Sequence, residues 1–387
     1  MRALALTAVA LVTGPARAAL PPLDPEVAPA FHAAAKGPAR VTLAGPVDVP
    51  VEPGRLPNVL VRVNGEGPFR FGIETGSPVV VVTPSLAAKL ALPQAGGDER
   101  MRAHAIARLE LGGAVFEGVV AAAVDVAAPD IDGVLGLALF QDVLLTVDGP
   151  ARQVRLERGA LAADGPGVVA VQRLGPFVGV PARFAGSEEV AIVDTRAMSD
   201  LLVLPDLAKE LPFVSPPVEV GRARGPSIPE TATSAARLDG DVTFAGVRVV
   251  RPILSIHPVP PPIPQRPVIG NGVLSRLAFT LDQRTERIRF AAPGPLPAPP
   301  PIRTLGFGLR GRPGAPLEAG PIAAGSAAEK AGVRQGDVVV GVAGVPAAQL
   351  DPARIRELLQ GKGKVAVKLS RDGVEREVTL EPVTLVP

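Results

Sequence analysis

The feature that most constrains this chain is an internal repeat. Val134–Gly136 (VLG) is followed by LLTVDGPARQVRLE, and Val268–Gly270 (VIG) is followed by LAFTLDQRTERIRF, which puts Thr146 and Thr280 at equivalent positions without a gap. Upstream, FGIETGSPVVVVTPSLAAKLAL matches VAIVDTRAMSDLLVLPDLAKEL with one residue of slippage. Two matches in the same order, each built from short β-branched runs, predict a duplicated lobe that is mostly β-sheet.

Each copy contains the same order of local signals. An apolar strand ends at an acidic-Thr turn, which carries Glu74 in the first copy and Asp194 in the second. A β-branched strand comes next, and Thr83 with Pro84 then predicts a short helix that has threonine as its N-cap. A later strand ends in two apolar residues and glycine. We therefore predict one lobe over residues 41–160 and a second over 161–293.

Composition excludes several kinds of chemistry. The chain has no Cys, which rules out disulfides, thiolate zinc sites and Cys nucleophiles. Aromatic residues make up only 3% of a chain that is 47% hydrophobic, so the core must be aliphatic. The formal net charge is +2 and the sequence has no dense basic run, so we expect no nucleic-acid partner. No GxSxG or HExxH motif accompanies the three His residues, and we expect neither a metal nor a cofactor.

The first residues have the pattern of a cleavable signal peptide. Arg2 precedes an apolar stretch, Ala3–Val12, that is too short to span a bilayer, and Ala16–Ala18 forms a small-x-small cleavage site. We expect a signal peptide over 1–18, a lead-in linker over 19–40 and a mature protein that is periplasmic or secreted. Near the other end, the proline-rich residues 294–301 predict a stiff linker before a small domain over 302–387.

The two acidic turns, FGIETGS and AIVDTRA, resemble the Asp-Thr-Gly loops of aspartic peptidases. IDGVLG and PVIGNGVLS resemble the apolar-apolar-Gly strands that cross behind those loops. The resemblance covers nearly all of residues 41–291 and is closest to the retropepsin-like bacterial aspartyl proteases, here with two lobes in one chain. It implies a mainly β, bilobal acid-protease fold, with a substrate-covering hairpin expected within Ala95–Gly113.

The resemblance also implies the roles of four residues. Glu74 and Asp194 would be the catalytic pair, sharing one proton because two like charges so close cannot both ionise. The pair would activate a water that attacks the peptide carbonyl. Thr75 and Thr195, which follow the acids, would cross-brace the two lobes.

Both loops depart from the family pattern. Glu74 stands where Asp is expected, and its extra methylene displaces the carboxylate by roughly 1.5 Å. A displacement near 1 Å can cost about a hundredfold in rate. Arg196 stands where Gly is expected, and a guanidinium that folds back on Asp194 would favour its ionised form and oppose proton sharing. Together the two departures predict a weak or inactive pair.

Residues 302–387 resemble a PDZ domain over their full length, on the order of TLGFGLRG, SAAEKAGV, RQGDVVVGV and the segment 352–360. The resemblance implies an α+β domain in which backbone N–H groups of one loop hold the terminal carboxylate of a peptide. A helix over Pro352–Gln360 would form the other wall of the groove. The implied peptide-binding residues are Leu305, Gly306, Phe307, Gly308, Ile355 and Leu359.

Three hypotheses about function stay open. In the first, the cleft is an active aspartic endopeptidase and the PDZ domain delivers substrate. In the second, which the altered loops favour, the cleft binds peptides or unfolded protein without cutting them and the PDZ domain binds protein C-termini. The third is a purely structural envelope protein. The oligomeric state, the substrate and the PDZ ligand do not follow from the sequence.

Overall fold

The computed structural model describes residues 34–54, 56–97, 101–124, 131–225, 228–259, 263–310, 316–323, 325–350, 352–360 and 363–387. The predicted signal peptide and most of the predicted lead-in lie outside these residues. Within the described residues, no helix has the length and apolar character needed to cross a membrane. The fold is mainly β, as the sequence predicts.

Lobe 1 is a sheet that closes on itself. Its eight strands run in the order β1-β8-β5-β9-β4-β3-β7-β6, and a further pairing between β7 and β8 closes the sheet into a ring. Two more strands of this part of the chain, β10 and β11, and the early strand β2 belong to another sheet. The strands are β1 Arg40–Thr42, β2 Val47–Pro50, β3 Asn58–Val63, β4 Glu66–Ile73, β5 Val80–Val82, β6 Gln94–Gly97, β7 Arg102–Leu111, β8 Ala114–Ala123, β9 Gly133–Leu135, β10 Leu144–Asp148 and β11 Gln153–Glu157.

Lobe 2 repeats the central pairings of lobe 1. β15 lies parallel to β22, which is antiparallel to β16, which is parallel to β21; in lobe 1 the same pattern links β4, β9, β5 and β8. This shared topology agrees with the duplication that the repeat predicts. The strands are β12 Val168–Ala170, β13 Gln172–Leu174, β14 Phe177–Phe184, β15 Ser187–Val193, β16 Leu201–Val203, β17 Val218–Gly225, β18 Ile228–Arg237, β19 Val242–Phe244, β20 Val247–Val249, β21 Ile253–Ile256, β22 Val268–Ile269, β23 Ala278–Asp282 and β24 Arg287–Ala291.

A six-stranded sheet joins the two lobes in the order β12-β24-β23-β10-β11-β2. Its centre is the antiparallel pair β10 and β23, in which Thr146 lies opposite Thr280. The two hydroxyl oxygens are 2.8 Å apart, so the equivalent residues of the repeat meet each other on an approximate twofold axis. One continuous core of buried side chains runs through both lobes and this sheet. It is mostly aliphatic, but it also contains eight phenylalanines, so the expectation of an aliphatic core holds only in part.

Short helices connect the strands. Helix α1 (Pro84–Lys89) begins as predicted, because Thr83 Oγ1 accepts a hydrogen bond from the Leu86 N–H and so satisfies a free donor of the first turn. Its counterpart in lobe 2 is shorter and has no side-chain cap. The remaining helices are α2 Pro205–Ala208, α3 Asn271–Leu274, α4 Ala327–Lys330 and α5 Pro352–Gln360, with 3-10 turns at Leu137–Phe140 and Ala347–Gln349.

The proline-rich segment does not stand apart from the lobes. Leu296 is buried, and its backbone exchanges hydrogen bonds with Arg248 and Val250 of lobe 2. The guanidinium of the buried Arg237 donates to the Pro299 carbonyl at 2.8 Å and to the Pro387 carbonyl. The predicted linker is therefore an extended segment held along lobe 2, because its free carbonyls find donors there.

The C-terminal domain has a separate core of aliphatic side chains and Phe307. A five-strand path β26-β27-β28-β30-β31 forms its main sheet, with β29 paired to β28 and a small β25-β32 pair beside it. Strand β26 is an edge of the main sheet. The strands are β25 Ile302–Thr304, β26 Phe307–Arg310, β27 Glu318–Ile322, β28 Val338–Val342, β29 Val345–Pro346, β30 Val365–Arg371, β31 Val374–Leu380 and β32 Val383–Val386.

Candidate active site

The two acidic turns occupy equivalent places in the lobes. Strand β4 ends just before Glu74, whose backbone N–H donates to Leu135 of the crossing strand β9 at 3.1 Å. Strand β15 ends just before Asp194, whose N–H donates to Ile269 of β22 at 3.0 Å. The apolar-apolar-Gly strands thus fix the backbone of each acid from behind.

The threonines that follow the acids connect the lobes reciprocally. Thr75 Oγ1 donates to the Val193 carbonyl at 2.7 Å and accepts from the Thr195 N–H at 3.1 Å. Thr195 Oγ1 donates to the Ile73 carbonyl at 2.8 Å and accepts from the Thr75 N–H at 3.1 Å. Both side chains are fully buried, so each bond is shielded from water. This four-bond brace holds the two acidic turns together across the interface.

The Asp194 carboxylate is held by its own turn and lies against lobe 1. Oδ1 accepts hydrogen bonds from the N–H groups of Arg196 at 2.8 Å and Ala197 at 3.1 Å. A side chain at position 76 would collide with this carboxylate, since a β-carbon built on Gly76 would lie 2.5 Å from Oδ2. The glycine of the first turn therefore gives Asp194 its place beside the Glu74 turn.

Arg196 crosses the interface instead of folding back over Asp194. Its Nε lies 3.3 Å from Glu74 Oε2, and its Nη1 donates to Asn58 Oδ1 at 3.3 Å. Only 13% of the Arg196 side chain is exposed. The expectation that the guanidinium acts on Asp194 is thus modified, because the acid that it pairs with is Glu74 of the other lobe.

The pKa values of both acids are raised. Burial, then the nearby Asp194, raises the pKa of Glu74 to about 7 from a model-compound value of 4.5, although Arg196 opposes the rise. Burial also raises the pKa of Asp194, opposed by the two N–H donors and the Arg196 charge. One proton held by the Glu74–Asp194 pair at moderately acidic pH follows from these directions.

We expect Glu74→Gln to remove part of the pH dependence of stability. A carboxyl whose folded pKa lies above its unfolded pKa stabilises the fold below pH 4.5, and this contribution disappears as the pH rises through about 7. As the pH rises from 4.5 to about 7, the unfolding free energy of the variant should increase relative to that of the wild type by about 3 kcal/mol at most. Denaturant unfolding at pH 4.5 to 8 measures the difference.

Asp282→Asn is the control of opposite sign. Burial raises the pKa of Asp282, but donors that include the Thr285 hydroxyl outweigh it and lower that pKa. Its stabilisation is present at neutral pH and is lost as the pH falls. Parallel pH profiles for the wild type and Glu74→Gln would contradict a buried, proton-holding Glu74.

Two cavities lie between the lobes at positions related by the repeat, and neither is lined by Glu74 or Asp194. One, of about 330 Å3, is lined by residues that include Leu56, Thr195 and Met198. The other, of about 480 Å3, is lined by residues that include Pro78 and Pro176. Each cavity is lined by residues of both lobes.

A second hairpin was not foreseen from the sequence. The expected one is present as β6 and β7, and residues 98–100 between them lie outside the described residues. In lobe 2, β17 and β18 form the equivalent hairpin, since β18 pairs with β21 as β7 pairs with β8. Its sequence, VEVGRARG and IPETATSAAR, shares no residue pattern with that of β6 and β7, so only the pairing identifies it.

The predicted peptide groove of the C-terminal domain has an open strand edge. Among the residues that the structure describes, strand β26, which starts at Phe307, pairs with β27 on one side only. Leu359 of α5 is buried in the core of this domain and Ile355 packs against it. The Gly306 N–H donates to Thr304 Oγ1 at 3.1 Å, which leaves fewer N–H groups of the loop for a carboxylate than the sequence implies. Peptide binding by these residues stays a prediction.

The part of the chain that the structure describes contains no candidate metal site. No group of three or more His, Asp and Glu side chains there could hold a metal ion.

Comparisons with known proteins agree with this architecture. Residues 59–139 match a family model described as aspartyl protease, and residues 320–370 match one described as PDZ domain. The HtrA3 PDZ domain bound to a phage-derived ligand is 18% identical, over 22% of this chain and 88% of that one, with a TM-score of 0.20. A PDZ domain protein from Parabacteroides distasonis is 22% identical, over 22% of this chain and 21% of that one, also with a TM-score of 0.20. No curated protein matches the chain. The chain thus contains an aspartyl protease domain and a C-terminal PDZ domain.

Proposed function

We propose that this protein binds extended peptides or unfolded protein in the cleft between its lobes without cutting them efficiently, while its PDZ domain binds protein C-termini. The observation that carries the proposal is the ion pair between Arg196 Nε and Glu74 Oε2 at 3.3 Å. The guanidinium lowers the pKa of Glu74 against the effect of burial, and it thus opposes the proton sharing on which peptide hydrolysis by an acid pair depends.

The retained features support binding. The threonine brace keeps the two acidic turns in register across the lobe interface. Hairpins in both lobes supply strand edges with which an extended peptide can pair. None of these features depends on proton sharing.

Binding without cleavage can be measured on the full-length protein. A fluorescently labelled, permanently unfolded polypeptide should bind, as followed by anisotropy, and mass spectrometry should find it intact after prolonged incubation from pH 4 to 7. Asp194→Asn should bind with the same affinity. A pepsin-type transition-state inhibitor should compete for the cleft. Fragments that the wild type produces and Asp194→Asn does not would contradict the proposal.

A second candidate is a slow aspartic endopeptidase. One observation favours it: the pKa of Glu74 is raised to about 7, which keeps a proton on one acid at mildly acidic pH despite Arg196. The same assay separates the two candidates, because an endopeptidase would release fragments with an acidic optimum.

For the PDZ domain, we expect peptides that end in an apolar residue with a free carboxylate to bind at the Leu305–Gly308 loop. Amidation of that terminus should weaken binding by at least about tenfold, since a charge-assisted hydrogen bond contributes roughly 1.5–3 kcal/mol. Calorimetry with matched acid and amide peptides measures the difference. Equal affinities would argue against carboxylate recognition.

We further propose that the protein works in the periplasm or outside the cell. The support is the signal-peptide pattern of residues 1–18 together with the absence of Cys. Sequencing the N-terminus of the mature protein tests this: a start near Ala19 is expected, and a retained Met1 in a cytoplasmic fraction would overturn it.

A further inference from the structure

The Arg196 side chain lies in a space that lobe 1 provides. Asn58 and Gly72 are directly opposite each other on the neighbouring strands β3 and β4. Asn58 Oδ1 accepts from Nη1 at 3.3 Å, and a β-carbon on Gly72 would overlap Nη1 and lie 3.2 Å from Cζ. Glu74, two residues beyond Gly72, supplies the carboxylate at 3.3 Å from Nε. We call these three lobe 1 residues the arginine slot.

Lobe 2 has no such slot. The residue two positions before Asp194 is Ile192, and the residue opposite it on the next strand is Gly179. In lobe 2 the larger residue therefore stands two positions before the acid and the glycine stands on the neighbouring strand, which is the reverse of lobe 1. Ile192 is buried in a small apolar cluster of its lobe. The residue that would enter a slot in lobe 2 is Gly76, which has no side chain. Lobe 1, which has the slot, thus receives the turn that carries an arginine, and lobe 2, which has none, receives the turn that carries Gly76.

The length of Glu74 belongs to the same arrangement. Aspartate at this position would withdraw the carboxylate by roughly 1.5 Å, beyond ion-pair contact with Nε in this geometry. A guanidinium with only 13% of its side chain exposed needs such a partner, because an unpaired buried charge is costly. Each slot residue thus meets one requirement of the Arg196 guanidinium. Glu74 supplies the opposite charge, Asn58 supplies a hydrogen-bond acceptor, and Gly72 leaves space because it has no β-carbon.

We propose that Glu74, Asn58 and Gly72 form a receptor for the Arg196 side chain, an ionic lock across the lobe interface in which Asn58 and Gly72 are positioning residues. The two departures from the acid-protease pattern are then one matched set and not two separate losses. The proposal rests on the proposed function in one respect, namely that the lock replaces a proton-sharing pair.

Double-mutant cycles on the full-length protein test the lock. In the wild-type background, Gly72→Ala should lower Tm by roughly 4 °C or more, because its methyl group displaces the guanidinium. In the Arg196→Ala background the same change should cost almost nothing, since Gly72 does not have a left-handed backbone conformation. Gly133→Ala is the matched control: its methyl would meet the Val81 carbonyl and the Phe71 ring, so it should cost the same in both backgrounds.

A titration gives a readout that a purely structural role would not change. In Gly72→Ala and in the milder Asn58→Ala, the midpoint at which the Glu74 carboxyl titrates, followed by carbon-13 NMR, should rise, because Arg196 lowers the pKa of Glu74 in the wild type. Neither change should shift that midpoint in the Arg196→Ala background. If Gly72→Ala fails to fold, Asn58→Ala still decides the question.

The outcomes separate the lock from the proposed function. Equal costs of Gly72→Ala in both backgrounds, or an unmoved Glu74 midpoint in Asn58→Ala, would overturn the lock even if no peptide is cleaved. Conversely, robust cleavage by the wild type would overturn the proposed function and leave a measured coupling between Gly72 and Arg196 intact.

Discussion

Replacing Glu74 by aspartate and Arg196 by glycine together is expected to accelerate cleavage of an unfolded protein by at least about a hundredfold over the wild type. The first change retracts the carboxylate towards the position that the acid-protease pattern requires. The second removes the cation that pairs with Glu74 and restores the glycine of the turn. With both changes, two aspartates beside an intact threonine brace can share one proton, so the activity should have an acidic optimum.

The single variants should gain little. Glu74→Asp alone leaves Arg196 in the interface, and Arg196→Gly alone leaves the longer acid in place. Because all of these residues meet at one site, the effects should be strongly non-additive. Cleavage of a denatured protein is assayed across acidic to neutral pH, with a pepsin-type transition-state inhibitor as a control.

Asp194→Asn in the double variant should abolish the gain. Inhibitor-sensitive cleavage by the wild type that Asp194→Asn removes would instead establish the endopeptidase. If no variant cleaves, the prediction that these two positions limit catalysis is wrong. Circular dichroism of each variant ensures that the comparison concerns folded protein.

Thr195→Val is expected to lower the unfolding free energy by about 4 kcal/mol, the second large effect. The hydroxyl both donates to the Ile73 carbonyl and accepts from the Thr75 N–H, at a site that is fully buried. Valine has nearly the same shape but leaves both backbone groups unpaired, and each such group costs roughly 1–3 kcal/mol. Since domains are typically stable by only 5–15 kcal/mol, denaturant unfolding will show this loss clearly.

The matched control is the double variant Thr146→Val with Thr280→Val. These hydroxyls contact each other at 2.8 Å on the same approximate twofold axis. Removing both partners together leaves no unpaired group between them, and the exposed Arg289, which also donates to Thr280, can turn to water. The cost should stay within about 1 kcal/mol. A Thr195→Val cost no larger than this would show that the brace contributes little to stability.

The features that could be predicted from the sequence are those set by neighbouring residues or by the internal repeat. The duplication was visible because both copies keep their order of turns, strands and crossing glycines, and the start of α1 followed from Thr83 and Pro84. The PDZ helix Pro352–Gln360 was predicted at the bounds that the structure has. In each case the residues that determine the feature are neighbours in sequence or are repeated in it.

Other features depend on which strands lie side by side. The hairpin of β17 and β18 is equivalent to that of β6 and β7 through pairing alone, and the proline-rich segment lies along lobe 2 because free carbonyls meet the Arg237 guanidinium there. From the sequence, the first was missed and the second was expected to be a spacer.

The sequence alone determined that two acids stand at equivalent turns and that each is followed by a threonine, because local turn chemistry and duplication set both. It also determined that Glu74 and Arg196 break the pattern. Only the tertiary structure decided what Arg196 does. Its partners, Glu74 and Asn58, lie in the other lobe, and β-sheet register together with the threonine brace bring them within 3.3 Å. A charge so buried binds whichever opposite charge the fold brings near it, and no local pattern in the chain encodes that neighbour.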